Sequence, residues 1–136
     1  MSNGDRVVLD TSAYSRMRAG NTAVLDWIAT AEAVLVPAIV IGELDAGFEL
    51  GSRAAENRVA LAEFLDEPFV FALDVTPRVA RRYAQVFARL RRAGTPISIN
   101  DVWIAACTFE SGGVLLSFDR DFDAVEGLPR AALVSG

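Results

Sequence analysis

The chain has 136 residues, enough for one domain with a substantial core and too few for two. Just over half of them are apolar, the net charge is −5, and there is neither histidine nor lysine, since all 13 basic residues are arginine. These absences exclude a His–Ser or His–Cys catalytic pair, an imidazole metal ligand, a P-loop, a Schiff-base enzyme and a lysine general base, which leaves carboxylates, with a hard metal ion, to carry any enzymatic chemistry. No stretch approaches the roughly 18 apolar residues of a membrane span. The longest run, "AVLVPAIVIG", is interrupted by Pro37. The "VVL" near the amino terminus is too short for the apolar region of a signal peptide. Together with the lone Cys107, which allows no internal disulfide, this reads as a cytoplasmic protein.

"RVVLD" (6–10) reads as a buried strand ending in an acid, followed by a helix over 11–20 with Thr11 or Ser12 as its cap. Asn21 opens a second helix over 21–31, and "AVLVP" (33–37) is a second strand. Helices follow over 38–51 and 52–68, the latter with Ser52 as cap, and then a third strand, "FVFAL" (69–73). The segment 76–94 has the clearest punctuation: Thr76 as cap, Pro77 in the first turn and Gly94 past the end. Val79, Tyr83, Val86 and Leu90 form its core stripe, and Arg78, Arg82, Gln85, Arg89 and Arg92 a polar stripe beside it. A helix over 100–113, a strand over 114–117 and a short last strand, "AALV" (131–134), complete the pattern. Apolar strands alternating with helices predict a three-layer α/β/α sandwich around a mainly parallel sheet, as one domain over 1–136.

In such sheets ligands bind beyond the carboxyl ends of the strands. Asp10 ends the first strand, Asp119 lies just past "VLLS", Asp101 starts the helix leading into that strand, and Glu43 interrupts an apolar stretch after Pro37. Four acids can thus converge. Each also has a plainer reading: Asp10 can close a strand, Asp101 can favour a helix start through the dipole, and the helix arginines can be a solvated face. Glu43 is harder to treat that way, because a buried carboxylate needs a partner. Two ionised carboxylates about 4 Å apart repel by roughly 4 kcal/mol at an effective dielectric of 20. Either some of them protonate or a cation lies among them, and an all-oxygen set suits Mg²⁺ or Mn²⁺.

The motifs "VVLDTSA", "IGELDAG", "INDVWIAA" and "LLSFDRDF" resemble, in order and in approximate spacing, those of the PIN-domain nucleases, and most closely the VapC-type toxins of bacterial toxin–antitoxin pairs. The resemblance implies a compact α/β/α endoribonuclease that hydrolyses RNA with Mg²⁺ or Mn²⁺ and whose metal is held by Asp10, Glu43, Asp101 and Asp119. It implies Thr11, Ser12, Asn100 and Ser117 as supporting polar groups. Asp121 is a further candidate, acting through water, whereas Asp123 is expected to cap a turn. The resemblance also implies a homodimer held inactive by a cognate antitoxin, for which the helices over 38–67 are the candidate docking surface. Arg78, Arg82, Arg89 and Arg92 are expected to help position RNA phosphates. Competing readings are a non-catalytic PIN-like binding module and an Asp-nucleophile phosphatase. The phosphatase pattern wants a second Asp where Ser12 stands and a lysine that is missing. A calcium loop starting at Asp119 fails, because its glycine and glutamate positions are Ala124 and Arg130.

Overall fold

Four short runs rich in Val and Leu build the sheet of this computed structural model, which describes residues 5–131 and 133. They are β1 (Arg6–Leu9), β2 (Ala33–Pro37), β3 (Val70–Leu73) and β4 (Val114–Leu116). All three pairings are parallel, in the order β3-β2-β1-β4. Parallel neighbours cannot be joined by a tight turn and need long crossovers. Each crossover here is a helix pair: α1 (Thr11–Arg18) with α2 (Thr22–Thr30), α3 (Ala38–Leu50) with α4 (Ala54–Leu65), and α5 (Pro77–Ala93) with α6 (Ile99–Ser111). Helices on a parallel sheet bury both its faces, and consecutive residues Val7, Val8 and Leu9 are accordingly all without solvent exposure. This is the expected three-layer α/β/α architecture. No helix among the described residues is long and apolar enough to cross a membrane.

The strand order matters for function. The chain runs outward from β1 through β2 to β3, then returns to place β4 on the other side of β1. Such a reversal opens a crevice beyond the strand ends, because the connections leave in opposite directions. Register aligns the two strands that flank it: Val7 lies opposite Val114, Val8 opposite Leu115 and Leu9 opposite Leu116. The next residues, Asp10 and Ser117, therefore emerge side by side. Gly113 makes the approach possible, since a Cβ there would lie 2.9 Å from the Arg6 carbonyl oxygen.

Helices α5 and α6 pack against each other in antiparallel fashion. Val79 packs with Ala106 and Cys107, Tyr83 stacks on Trp103 at 3.9 Å between ring centroids, and Leu90 shares a small recess with Val102. Val79, Val86 and Leu90 of the expected stripe are buried and Tyr83 is half-buried. At about 1.5–3 kcal/mol for each fully buried aliphatic side chain, that stripe anchors α5.

Several boundaries differ from the sequence reading. The cap of α1 is Asp10 rather than Thr11 or Ser12: its carboxylate accepts from the Ala13 amide, and Thr11 is already helical. The helix expected over 52–68 spans Ala54–Leu65, with Arg53 at the cap position making no side-chain cap bond, and makes no use of Ser52. Helix α6 starts one residue early, capped by Ser98. The caps Asn21, Thr76 and Gly94 are as expected, the last in the left-handed conformation at φ 72°. Of the strand expected over 131–134, residues 132 and 134 lie outside the described residues. Just before it, Arg130 forms a parallel bridge with Leu115, and the Ala131 amide donates to the Leu115 carbonyl at 2.9 Å.

Candidate metal centre and active site

Asp10 is 4% exposed at the crevice floor, and its carboxylate is nearly saturated with donors. Oδ1 accepts from the Ala13 amide at 2.8 Å and the Ser12 hydroxyl at 2.7 Å, and Oδ2 accepts a short bond from the Ser117 hydroxyl. A carboxylate oxygen has two lone pairs, so one on Oδ2 stays free. Burial pushes the pKa of Asp10 up; the bonds from Ser117, Ala13 and Ser12 oppose this, and the charge of Asp119 adds to it.

The two serines tie the ends of β1 and β4 together. Ser12 Oγ accepts from the Phe118 amide at 3.0 Å while donating to Asp10, and Ser117 Oγ accepts from the Asp119 amide at 2.9 Å while donating to Asp10. Phe118, between them, lies under the Arg16 guanidinium, 4.4 Å from its ring centroid. The loop leaving β4 is thereby fixed before it turns into a 3-10 helix over Arg120–Ala124. Asp119 caps that turn, its Oδ1 accepting from the Asp121 amide at 2.9 Å.

This capping brings three acids together. Asp101, Asp119 and Asp121 each offer a carboxylate oxygen, and the three oxygens lie within 4.8 Å of one another. Asp101, buried in the first turn of α6, is pushed up to about 6: burial contributes most, the Ser98 hydroxyl opposes it, and the charge of Asp119, a bond with it and the charge of Asp121 add to the rise. Burial disfavours the charged form, and the like charges beside it add to the effect, as expected at a site short of positive charge. The donor set is all carboxylate oxygen, without imidazole or thiolate, and so fits a hard divalent cation.

Glu43, like Asp10, lies outside the tight trio. It is half-buried on α3; its Oε1 accepts from the Thr11 hydroxyl at 2.6 Å and its Oε2 from the Asn100 amide at 3.2 Å. Those partners are the chain neighbours of Asp10 and Asp101, so Glu43 braces the starts of α1 and α6 at the crevice. The tight trio thus takes in two of the four expected ligands and adds Asp121. Asp10 is joined to it through Ser117, and Glu43 through Asn100. Every expected supporting residue, Thr11, Ser12, Asn100 and Ser117, bonds to one of these acids. Asp123 takes no part and pairs instead with Arg130 at 2.5 Å.

Sequence reasoning missed Ser98, whose Oγ accepts from the Asp101 amide at 3.2 Å. The signal was present: "SIND" has the Ser-x-x-Asp spacing of a capping box. The arginines divide. Arg78 and Arg82 pair with Glu110 on α6, at 3.4 and 3.0 Å, whereas Arg89 and Arg92 stand exposed near the end of α5. Cys107 is buried, which pushes its thiol up to about 11 and leaves it unreactive.

The PIN domain family model matches residues 7–128. The chain is 26% identical to ribonuclease VapC5 of Mycobacterium tuberculosis (strain ATCC 25618 / H37Rv) over 127 residues, 93% of either protein. It is 32% identical over 123 residues to the plasmid stability protein StbB of Pseudomonas syringae pv. tomato (strain ATCC BAA-871 / DC3000), covering 83% of this chain and 87% of that protein. Among solved structures it is similar to VapBC-5, a member of the VapBC family of toxin–antitoxin systems from Mycobacterium tuberculosis. That match has a TM-score of 0.72 and 25% identity, covering 92% of this chain and 94% of the other.

Proposed function

The chain belongs to the PIN-domain family, and from that premise we propose that it is a metal-dependent endoribonuclease, the toxin of a toxin–antitoxin pair, acting in the cytoplasm. The observation that carries this reading is the convergence of Asp101, Asp119 and Asp121 at the strand-order reversal, beside Asp10, whose carboxylate accepts three hydrogen bonds. Its relatives, a ribonuclease and a toxin–antitoxin complex, support the substrate and the setting.

Asp10, Glu43, Asp101 and Asp119 are the proposed catalytic set, with Asp121 completing the oxygen cluster and Mg²⁺ or Mn²⁺ as the cation they would hold. A bound ion of this kind neutralises phosphate charge and supplies a nucleophilic water for in-line hydrolysis of the phosphodiester. The chain's own residues make the site ready. Ser12 and Ser117 hold the Asp10 carboxylate in one orientation, with a single lone pair of Oδ2 available. Ser98 and the first turn of α6 fix Asp101, and the 3-10 turn fixes Asp119 beside it. Burial and the neighbouring acids raise Asp101 to about 6, and a bound cation would favour its ionised form. Glu43, through Thr11 and Asn100, sets the spacing of the two helix starts.

The proposed partners are RNA, a second copy of the chain and an antitoxin. The α3–α4 face offers the antitoxin exposed apolar surface at Leu50, 91% exposed, and Val59, 56% exposed. A segment carrying basic side chains suits the acidic crevice. The test is cleavage of cellular RNA with and without Mg²⁺, on wild type and Asp101→Asn, with the new 5′ ends sequenced. The expected result is metal-dependent cutting at defined sites, reduced at least 100-fold by the substitution. Absence of metal-dependent cutting would leave a binding module.

A further inference from the structure

A groove of about 800 Å³ runs along the exposed face of α5, and Arg81, Arg82, Gln85, Arg89 and Arg92 contribute to its lining. We propose that this groove is a phosphate track for the RNA strand beyond the scissile bond, with Arg81, Arg89 and Arg92 as its anion-binding groups and Gln85 as a neutral donor between them. The inference rests on the ribonuclease reading and goes beyond it, since it places a substrate-binding surface outside the carboxylate cluster.

Arg58, Arg78, Arg82, Arg120 and Arg130 all pair with carboxylates. Arg81, Arg89 and Arg92 have no ion-pair partner among the described residues, although the chain carries 18 acids against 13 arginines. Of the described residues lining the groove, Glu126 is the one acid, and it stands across from α5. Cations gathered without counter-charges in an acidic protein repel one another until an anion joins them.

Positions 81, 85, 89 and 92 recur at the helical repeat and so share one face. At 1.5 Å per residue they extend over about 16 Å, longer than a single phosphate needs and suited to a run of backbone. Arg82 closes one end, its guanidinium 5.3 Å from the centroid of the Phe109 ring, which also lines the groove. An aromatic face beside a row of cations is the usual composition of a single-strand channel.

Because α5 and α6 are antiparallel, the end of α5 that carries Arg89 and Arg92 lies beside the start of α6. There Leu90 and Arg91 share a recess with Val102, the residue after Asp101. The track therefore begins at the helix end that bears the reacting cluster. Arg78 is outside it: Arg78 lines a separate cavity and is tied to Glu110.

The test measures fluorescence anisotropy of a labelled uridine 20-mer in EDTA across a salt series, on wild type, the double variant Arg89→Gln/Arg92→Gln, and Arg78→Gln as control. All three positions are exposed, so the fold is retained. The double variant is expected to bind at least fivefold more weakly. Its slope of log K against log salt should fall by about 1.4, at roughly 0.7 for each phosphate of a single strand that an arginine no longer neutralises, while Arg78→Gln keeps the wild-type slope. An unchanged slope in the double variant, or an equal fall in Arg78→Gln, overturns the track. So does loss of polyglutamate binding without loss of RNA binding, which would make the groove a seat for an acidic peptide. If wild type cuts RNA with Mg²⁺ but the double variant binds like wild type, the track alone fails. If wild type neither binds nor cuts RNA, the underlying reading fails with it.

Discussion

Replacing Asp119 by Asn should make the metal-free protein more stable and should weaken its stabilisation by metal. The carboxylate oxygens of Asp101, Asp119 and Asp121 lie within 4.8 Å of one another, and at that separation two unit charges repel by roughly 3.5 kcal/mol at an effective dielectric of 20. Asp119 faces two such neighbours. Asp121 is exposed and its share is heavily screened by solvent and salt, so the net relief is about 1–3 kcal/mol. The substitution keeps its structural bond, because an amide oxygen at 119 can still accept from the Asp121 amide. With about 2.1 cal/mol/K of unfolding entropy per residue over 136 residues, 1 kcal/mol corresponds to about 3.5 °C. Tm in EDTA should therefore rise by about 3–10 °C. Mg²⁺ at 100 times its Kd should stabilise wild type by about 2.7 kcal/mol, close to 9 °C, and the variant by less than a third of that. Thermal unfolding in EDTA and across a Mg²⁺ titration reads both arms. A variant less stable than wild type in EDTA, or one that responds equally to Mg²⁺, would refute the account of the cluster as a cation site built on repulsion.

Asp101 gives a pH signature. Its pKa is raised from 3.8 to about 6 in the folded protein, so between those values the folded state binds more protons than the unfolded one, and stability falls as pH rises through the window. Discounted for solvent screening, the loss is about 1–2 kcal/mol, visible as the difference in urea midpoints between wild type and Asp101→Asn in EDTA; a difference that stays constant from pH 4 to 7 contradicts it. Ser117→Ala removes the hydroxyl shared by Asp10 Oδ2 and the Asp119 amide, and should cost about 2 kcal/mol and lower RNA cleavage about tenfold. Unchanged cleavage would show that the orientation of Asp10 does not matter.

Much of the fold was legible because hydrophobic period and helix punctuation agree. The runs around Val7, Val34 and Leu115 are too short and too apolar to be surface strands, and helical stretches between them forbid hairpins. Thr76, Pro77 and Gly94 bracket α5 within a residue. The failures are local competitions. Thr11 and Ser12 are good cap types, but Asp10 lies one position earlier and meets the Ala13 amide first. That leaves Thr11 free to donate to Glu43 and Ser12 to orient Asp10. Ser52 was read as a cap by type alone, yet the backbone enters α4 two residues later.

Strand order was the missing quantity for the site. Alternation of strands and helices says that a sheet is parallel without saying which strands are neighbours. Proximity of Asp10 to Asp119 follows only once β4 is known to pair with β1 rather than with β3. Asp121 was undervalued for a related reason. In an extended loop, residues 119 and 121 would share a face but stand well apart, at about 3.3 Å of rise per residue. The 3-10 turn, set by the Asp119 cap on the Asp121 amide, draws both side chains toward Asp101. One carboxylate thus has two roles: an oxygen of Asp119 shapes the turn, and the turn then gathers the charge that makes the cluster receptive to a cation. Glu43 shows the converse. Its position in an apolar stretch demanded a partner, and the neutral donors of Thr11 and Asn100 supply it beside the cluster.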